Sequence, residues 1–255
     1  MAEYGNVRRA SAGVRTAEID AGLRAHMNSV YGLMSVAMAI TALVAYFVCA
    51  DMSRAFNNQP TTLLSYGMIE TMLTSPVRYI IMFAPLGVVL LFSATVNRLS
   101  KAAAQGVFFL FAALMGLSIS WIFIIYTDMS IAQTFMITAI AFAGLSLWGY
   151  TTKKDISGWG SFLIMGVIGL IVASIVNIFL ESSALQFAVS AIGLLIFAGL
   201  TAYDTQKIKT TYLQMVNIPG GQEWLAKGAI MGALNLYLDF INMFMFLLQF
   251  LGNRE

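Results

Sequence analysis

Charged residues are scarce in this chain. Of its 255 residues, 10% are charged and 59% are hydrophobic, whereas a soluble domain usually carries about 25% charged residues. So few charges cannot cover the surface of a soluble protein of this length, and the composition therefore predicts an integral membrane protein. The formal net charge of +2, without any cluster of lysine and arginine, gives no reason to expect a nucleic-acid partner.

Cysteine and histidine are nearly absent as well. The single cysteine, Cys49, excludes a disulfide within the chain and a paired-cysteine redox or zinc site. The single histidine, His26, excludes a histidine-rich metal site and a histidine-based triad within the membrane. The motifs G-x-S-G and H-E-x-x-H of serine and zinc intramembrane proteases are also missing. We therefore expect a protein that is not an enzyme and has no cofactor.

Long uncharged runs recur along the chain. A helix needs roughly 20 apolar residues to cross a hydrocarbon core about 30 Å thick, whereas a strand of a membrane barrel needs about 10. The runs therefore predict a bundle of seven helices over residues 28–252, after a cytoplasmic tail at residues 1–27. Between the first two spans, Pro60 and Pro76 bracket a segment suited to a short amphipathic helix at the interface. The predicted spans are 28–50, 79–97, 103–126, 131–150, 159–180, 184–204 and 227–251.

Basic residues are distributed unevenly over the connecting segments. If the N-terminus is cytoplasmic, 11 of the 14 lysines and arginines lie inside and 3 lie outside. This bias is typical of membrane proteins and sets their orientation. Residues 1–27 lack the apolar region of a signal peptide, and their acidic residues disfavour a transit peptide. The sequence therefore predicts a multi-pass protein of a bacterial inner membrane. The three outside residues are Arg54, Arg78 and Arg254.

One ionisable residue lies deep inside a span. Asp239 occupies the middle of the last run, where an aspartate costs about 2.5–3.5 kcal/mol on insertion scales, so it is a candidate functional residue. Asn235, Asp239 and Asn242 follow one another at i, i+4 and i+7 and share one face of a helix. This polar stripe predicts a helix that faces the bundle interior or a wet cavity. Hydrogen bonds between helices are the alternative interpretation of the two asparagines.

Asp204, at the cytoplasmic end of the sixth span, is the second candidate. The connection at 210–226 is short, so the last two helices should be antiparallel neighbours that bring Asp204 and Asp239 towards each other. Two close carboxylates titrate as a pair, and the ionised pair can accept a hard cation such as calcium. A simple interfacial pair of Asp204 with Lys207 is the alternative. Arg98 is either a counter-charge for a buried carboxylate or a side chain that reaches the lipid headgroups.

Two motifs resemble those of a known family. TAYDTQKIK around Asp204 and LNLYLDFINMFMFLLQFLG around Asp239 are similar to the sixth- and seventh-helix signatures of the Bax inhibitor-one family, also called transmembrane Bax inhibitor motif proteins. The resemblance covers nearly the whole chain after residue 27. Its other parts are VYGLMSVAMAITALVAYF in the first span, NRLSKAAAQGVFFLFAALMGLSIS between the second and third spans, and GSFLIMGVIGLIVASIVNIFL in the fifth.

The resemblance implies both an architecture and an activity. The seventh helix should be central, surrounded by the other six, and the protein should be a pH-sensitive calcium leak. A di-aspartyl pair that shares a proton gates such a leak, and an arginine interacts with it. Asp204 and Asp239 match the two aspartates, so calcium is the candidate metal there, and Arg98 matches the arginine. Two positions depart from a calcium-leak relative, which has a glutamate where Pro85 stands and an arginine where Gln249 stands.

Two other functions fit parts of the sequence. A bacterial branch of the family is associated with a membrane-anchored AAA protease and its regulators, so a non-enzymatic partner of such a protease complex is the alternative. The tail at residues 1–27 would supply the contact. Paired aspartates also serve intramembrane aspartyl proteases, but AYDT and YLDF differ from the G-x-G-D and P-A-L motifs of that class. The expected partners are membrane lipid, calcium and protons, with a membrane protease complex under the alternative.

Overall fold

The computed structural model describes the backbone of residues 2–253 and the side chains of residues 18–253. Seven helices are long and apolar enough to cross a membrane, which confirms the predicted all-α membrane protein. The side chain of Arg254 and the arginines before residue 18 lie outside the described residues. The helices are α1 (Ala2–Phe56), α2 (Tyr66–Thr74), α3 (Val77–Thr95), α4 (Lys101–Ile119), α5 (Ile122–Ile125), α6 (Asp128–Thr151), α7 (Trp159–Leu180), α8 (Ser183–Met215) and α9 (Gly221–Leu251), with a 3-10 turn at Val96–Arg98.

Two spanning helices are longer than their apolar runs. Helix α1 includes the end of the predicted tail, where Leu23 and Met27 are buried in the core. Helix α8 continues past the predicted end at residue 204 to Met215. Its extension contains no glycine or proline and is rich in lysine, glutamine and threonine, which can continue a helix in water. The helix therefore ends only where Pro219 and Gly220 turn the chain.

Helix α2 occupies the connection between the first two spanning helices, as the two prolines indicate. Oγ of Ser65 accepts a hydrogen bond of 3.3 Å from the backbone N–H of Met68 at its start, and Pro76 immediately precedes α3. Such caps satisfy backbone N–H groups at helix ends, where lipid offers no partner. Side-chain caps of the same kind begin α4, α6 and α8 at Ser100, Thr127 and Ser182.

Helix α9 is the most buried of the spanning helices. In its most apolar stretch 61% of the residues are buried, against 11–33% in the other six. It packs against α1, α4, α6 and α8, whereas α3 packs on α4 and α7 on α8. Helix α3 continues through Pro85, and α7 presents side chains such as Phe179, which is 83% exposed, for contact with lipid. That α9 is enclosed by all six other helices stays a prediction.

Two glycines allow neighbouring helices to approach each other closely. A Cβ on Gly149 of α6 would overlap the backbone of Ala202 on α8, with the Cα and the carbonyl carbon of Ala202 both 3.0 Å away. A Cβ on Gly116 of α4 would lie 2.5 Å from the carbonyl oxygen of Thr41 on α1. Small residues at such crossings are a general device of membrane helix packing. Gly149 thereby fixes α6 against the turn of α8 that precedes Asp204.

Candidate functional site: a carboxylate pair beside a cavity

The side chain of Asp239 lies inside the bundle, on α9. The residue is only 3% exposed, and its Oδ2 is buried with no hydrogen-bond partner among the described residues. Buried polar atoms nearly always have a partner, and an aspartate in an apolar span is costly. Since no donor engages Oδ2, the atom is available to a proton or a cation.

Asp204 lies on α8, close to Asp239. It is 9% exposed, and its carboxylate is within electrostatic range of that of Asp239. Helices α8 and α9 pack along each other and are joined by the short segment 216–220. Gly220 provides the left-handed backbone conformation, with φ of 79°, from which α9 begins. The structure thus places the two predicted aspartates on antiparallel neighbours within electrostatic range of each other, with no hydrogen bond between their carboxylates among the described residues.

A cavity of about 280 Å³ reaches Asp204 and Asn235. Asp239 follows Asn235 by one turn, about 6 Å further along α9. The cavity lies between the end of α8, the beginning of α9, α1 and the turn after α3, and the exposed residue Lys207 is part of its lining. It therefore leads from the protein surface to Asp204 and to Asn235, one turn of α9 before Asp239. The polar residues that line it are His26, Asn97, Asp204, Lys207, Thr211, Lys227 and Asn235.

The counter-charge beside the pair is Lys207. This lysine is three residues after Asp204 and interacts with it electrostatically, and its Nζ lies 5.8 Å from the centre of the Tyr203 ring. Arg98 is exposed and takes part in no ion pair within residues 18–253. The 3-10 turn after α3 places Asn97, rather than Arg98, at the cavity. The expected contact of Arg98 with the aspartates is therefore not formed in this conformation.

The uncharged polar residues Asn235, Asn242 and Gln249 of α9 lie in three different environments. Asn235 lines the cavity. Nδ2 of Asn242 donates a hydrogen bond of 2.8 Å to a backbone carbonyl one turn earlier in its own helix, so this bond does not join two helices. Oε1 of Gln249, near the other end of α9, accepts hydrogen bonds from Ser190 and, at 2.8 Å, from Gln186, both on α8. Gln249 thus acts as a neutral link between α8 and α9.

Buried hydroxyl groups around the pair were not found from the sequence. Ser146 Oγ on α6 is 2.6 Å from the hydroxyl of Tyr31 on α1 and 3.0 Å from that of Thr205, which directly follows the aspartate of α8. The hydroxyls of Thr41 on α1 and Tyr237 on α9 are 2.7 Å apart. Hydroxyl residues are too frequent in apolar spans to single out by spacing. Their pairing becomes visible only when the helices are placed side by side.

Asp51 is a further buried carboxylate, at the opposite end of the bundle. It is 0% exposed and accepts hydrogen bonds of 2.6–2.9 Å from the backbone N–H groups of Thr62, Leu63 and Leu64. The hydroxyl of Thr62 and the guanidinium of Arg54 also donate to it, at 2.8 and 3.1 Å. Because the carboxylate is satisfied on all sides, its role is to hold the segment before α2. In the sequence it looks like an ordinary charge at a span end.

Together these features define a class of protein: a multi-pass α-helical membrane protein with paired buried carboxylates beside a cavity at one end of the bundle. Residues 23–255 match the family described as "Inhibitor of apoptosis-promoting Bax1". The chain therefore belongs to the Bax inhibitor-1 family, as its two aspartate motifs indicate.

Relatives from several bacteria are similar to nearly the full chain. Inner membrane protein YbhL of Escherichia coli (strain K12) is 44% identical over 236 residues, which cover 92% of this chain and 94% of YbhL. Uncharacterized protein RP147 of Rickettsia prowazekii is also 44% identical, with 92% of each chain covered. Uncharacterized membrane protein SpyM3_0260 of Streptococcus pyogenes is 32% identical, with 92% and 96% covered. The similarity extends across all the spanning helices.

Proposed function

We propose that this protein is a pH-sensitive leak for cations, most suitably calcium, gated by Asp204 and Asp239 through a proton that they share. The observation that carries the proposal is the buried Oδ2 of Asp239, which has no hydrogen-bond partner among the described residues and lies in a carboxylate within electrostatic range of Asp204. Such a leak requires neither an enzymatic step nor a cofactor. Calcium is the transported ion, not a resident metal.

The carboxylate pair can exchange a proton for a cation. Two buried carboxylates cannot both be ionised without cost, so they retain one proton between them until a cation replaces it. Calcium usually takes six to eight oxygen ligands, whereas no group of three His, Cys, Asp or Glu side chains among residues 18–253 is arranged to hold a metal. Two carboxylates and the nearby amide of Asn235 supply fewer oxygen ligands than calcium prefers. Calcium therefore binds weakly and dissociates quickly. Weak binding suits passage better than storage.

Lysines at the cavity regulate how readily a cation reaches the pair. Lys207 interacts with Asp204, and Lys227 lines the same cavity with its Nζ 3.1 Å from a carboxylate oxygen of Glu223. Their charges oppose the entry of another cation, and ionised aspartates offset that opposition. The balance between the lysines and the aspartates therefore makes cation entry depend on pH.

The path beyond Asp239 is closed in this conformation. Three apolar side chains of α9, Leu236, Met243 and Leu248, are at most 1% exposed and belong to the packed interior of the bundle. Ions can pass only when neighbouring helices move relative to α9. We place the cavity on the cytoplasmic side of a bacterial inner membrane, with the N-terminus also cytoplasmic. The excess of basic residues in the connections at that end supports this orientation.

Replacing Asp239 with asparagine should abolish the pH dependence of calcium flux. Asparagine has nearly the same shape but cannot ionise, so the pair no longer exchanges a proton for a cation. The measurement uses vesicles that contain purified protein and a calcium-sensitive dye, and initial rates are compared over a series of pH values. Calcium binding to the wild-type protein should also strengthen as pH rises, because protons compete for the same oxygens.

Asp155→Asn is the matched control for this experiment, because Asp155 is exposed in the connection between α6 and α7. It undergoes the same chemical change outside the pair and should keep the pH profile of the wild type. Asp204→Asn should resemble Asp239→Asn. If Asp239→Asn vesicles retain the wild-type pH profile, the shared-proton gate is wrong.

The alternative function is that of a partner of a membrane protease. An absence of calcium flux in the vesicles would favour it. Helix α1 extends for 16 residues before Glu18, where its candidate spanning part begins. These residues offer a contact for a membrane-bound AAA protease or its regulators. Deletion of residues 2–17 should then prevent co-purification with such a complex from a bacterial membrane. Co-purification that survives the deletion would contradict the role of this segment.

A further inference from the structure

A lateral groove lies between α1 and α6, on a different face from the carboxylate pair. Its volume is about 500 Å³, within the range of about 300–1,000 Å³ that is typical of ligand sites. Helix α1 packs mainly on α4 and α9, and α6 on α8 and α9, so a gap is left between the two helices. Arg24, Asn28, Ala143 and Leu147 line the groove and are exposed. The groove therefore opens sideways, towards the lipid.

Two hydroxyl groups on the floor of the groove form hydrogen bonds within the protein and do not need water as a partner. The hydroxyls of Tyr31 and Ser146 are 2.6 Å apart and hydrogen bonded to each other, and Ser146 also pairs with Thr205 behind it; Tyr150 adds a third hydroxyl to the lining. The remaining inner lining is apolar and includes Met27 and Phe142. A satisfied, mainly apolar cleft that faces the bilayer matches the chemistry of an acyl chain.

The mouth of the groove carries positive charge. Arg24 belongs to the lining and takes part in no ion pair within residues 18–253. Lys209 does not line the groove itself, but its Nζ donates a hydrogen bond of 2.7 Å to the carbonyl oxygen of Tyr150, which does, and lies 5.3 Å from the centre of the Tyr150 ring. Among the described residues, no acidic side chain lines the groove. A guanidinium that takes part in no ion pair among the described residues, at the mouth of an apolar cleft, is suited to a phosphate.

We propose that this groove binds an anionic phospholipid. The phosphate of the headgroup contacts Arg24 near Tyr150, and the acyl chain lies between α1 and α6 towards Phe142. Tyr150 lies eight residues after Phe142, about 12 Å further along α6, which accommodates the upper part of an acyl chain. Basic pockets between spanning helices near the cytoplasmic surface are typical sites for anionic lipids. This inference does not depend on the proposed ion leak.

A second lateral cavity in the bundle lacks the basic residue that the groove has at its mouth. It lies between α7 and α8, has a volume of about 580 Å³, and is lined entirely by apolar residues and glycine. It has room for an acyl chain but no group that recognises a headgroup. Of the two lateral cavities, only the groove between α1 and α6 should therefore discriminate between lipids by charge.

Lipid binding can be counted by native mass spectrometry of the full-length protein in mild detergent. Phosphatidylglycerol and phosphatidylcholine with identical acyl chains serve as probes. The wild type should retain one phosphatidylglycerol in preference to phosphatidylcholine. Arg24→Gln should weaken phosphatidylglycerol binding by at least about tenfold, a loss of about 1.4 kcal/mol, and should weaken phosphatidylcholine binding less, because the choline ammonium already offsets the charge of its phosphate. Ala143→Phe, which fills the groove from an exposed position, should displace the retained lipid.

The control fills the other cavity. Gly169→Leu lies in the cavity between α7 and α8, where a Cβ meets no atom within 4 Å, and it should keep the preference for phosphatidylglycerol. Unchanged phosphatidylglycerol binding by Arg24→Gln, or an equal affinity of the wild type for both lipids, would overturn the proposal. Competition by inorganic phosphate as strong as that by the lipid would identify a free anion instead, and would also overturn it.

Discussion

Replacing Gly149 with alanine should destabilise the protein by about 2–3 kcal/mol, the upper part of the usual range for overpacking. The added Cβ would overlap the backbone of Ala202, which cannot rotate away as a side chain would. Helices α6 and α8 must therefore separate at the turn before Asp204. The midpoint of thermal unfolding in detergent, followed by intrinsic fluorescence, should fall by several degrees. Calcium flux should change as well, because α8 carries Asp204 towards Asp239.

Gly144→Ala is the matched control on the same helix. A Cβ at Gly144 meets no atom within 4 Å, and alanine is the better helix former by about 1 kcal/mol in water. This variant should be at least as stable as the wild type. If the two variants unfold at the same temperature, the close crossing of α6 and α8 is wrong.

Asp51→Asn should loosen the connection between α1 and α2 and lower the free energy of unfolding by roughly 3 kcal/mol. Both carboxylate oxygens accept hydrogen bonds, from Thr62 on one side and from the N–H groups of Leu63 and Leu64 on the other. An amide nitrogen in either position points a donor at another donor, and buried N–H groups lose their acceptor. Limited proteolysis should cut the segment 57–65 faster in the variant than in the wild type.

Glu70→Gln removes one negative charge from the same region and is the control. Glu70 is exposed on α2, so its replacement should leave both unfolding and proteolysis nearly unchanged. Equal resistance of Asp51→Asn and Glu70→Gln to the protease would contradict the bracing role of Asp51.

The sequence predicts the architecture of this protein well because lipid imposes a strict length rule. Six uncharged runs of about 20 residues and a seventh interrupted only by Asp239 correspond to the seven candidate spanning helices among the described residues, and Pro60 and Pro76 bracket α2. The ends of the helices are less predictable, because a helix does not stop where its side chains become polar. The ends of α8 and the start of α1 follow from helix propensity and packing, neither of which a hydropathy rule detects.

Only part of the site could be found from the sequence. Asp239 and Asp204 stand out because an ionisable residue is rare in or beside an apolar span, and the structure places them near each other. Arg98 is also a charged residue at the end of an apolar span, but the 3-10 turn places Asn97 rather than Arg98 at the cavity. The cation near the pair is Lys207. Asp51 was missed because its partners are backbone N–H groups, which leave no trace in a sequence.

The length of α8 has a mechanical consequence. Its 33 residues extend about 50 Å, whereas the hydrocarbon core is about 30 Å thick. A rigid arm of roughly 20 Å therefore stands outside the hydrocarbon, and its end at Met215 is about 16 Å from Asp204 along the helix. Because the helix is unbroken between Asp204 and Met215, a force on the turn at 216–220 is transmitted along it to Asp204.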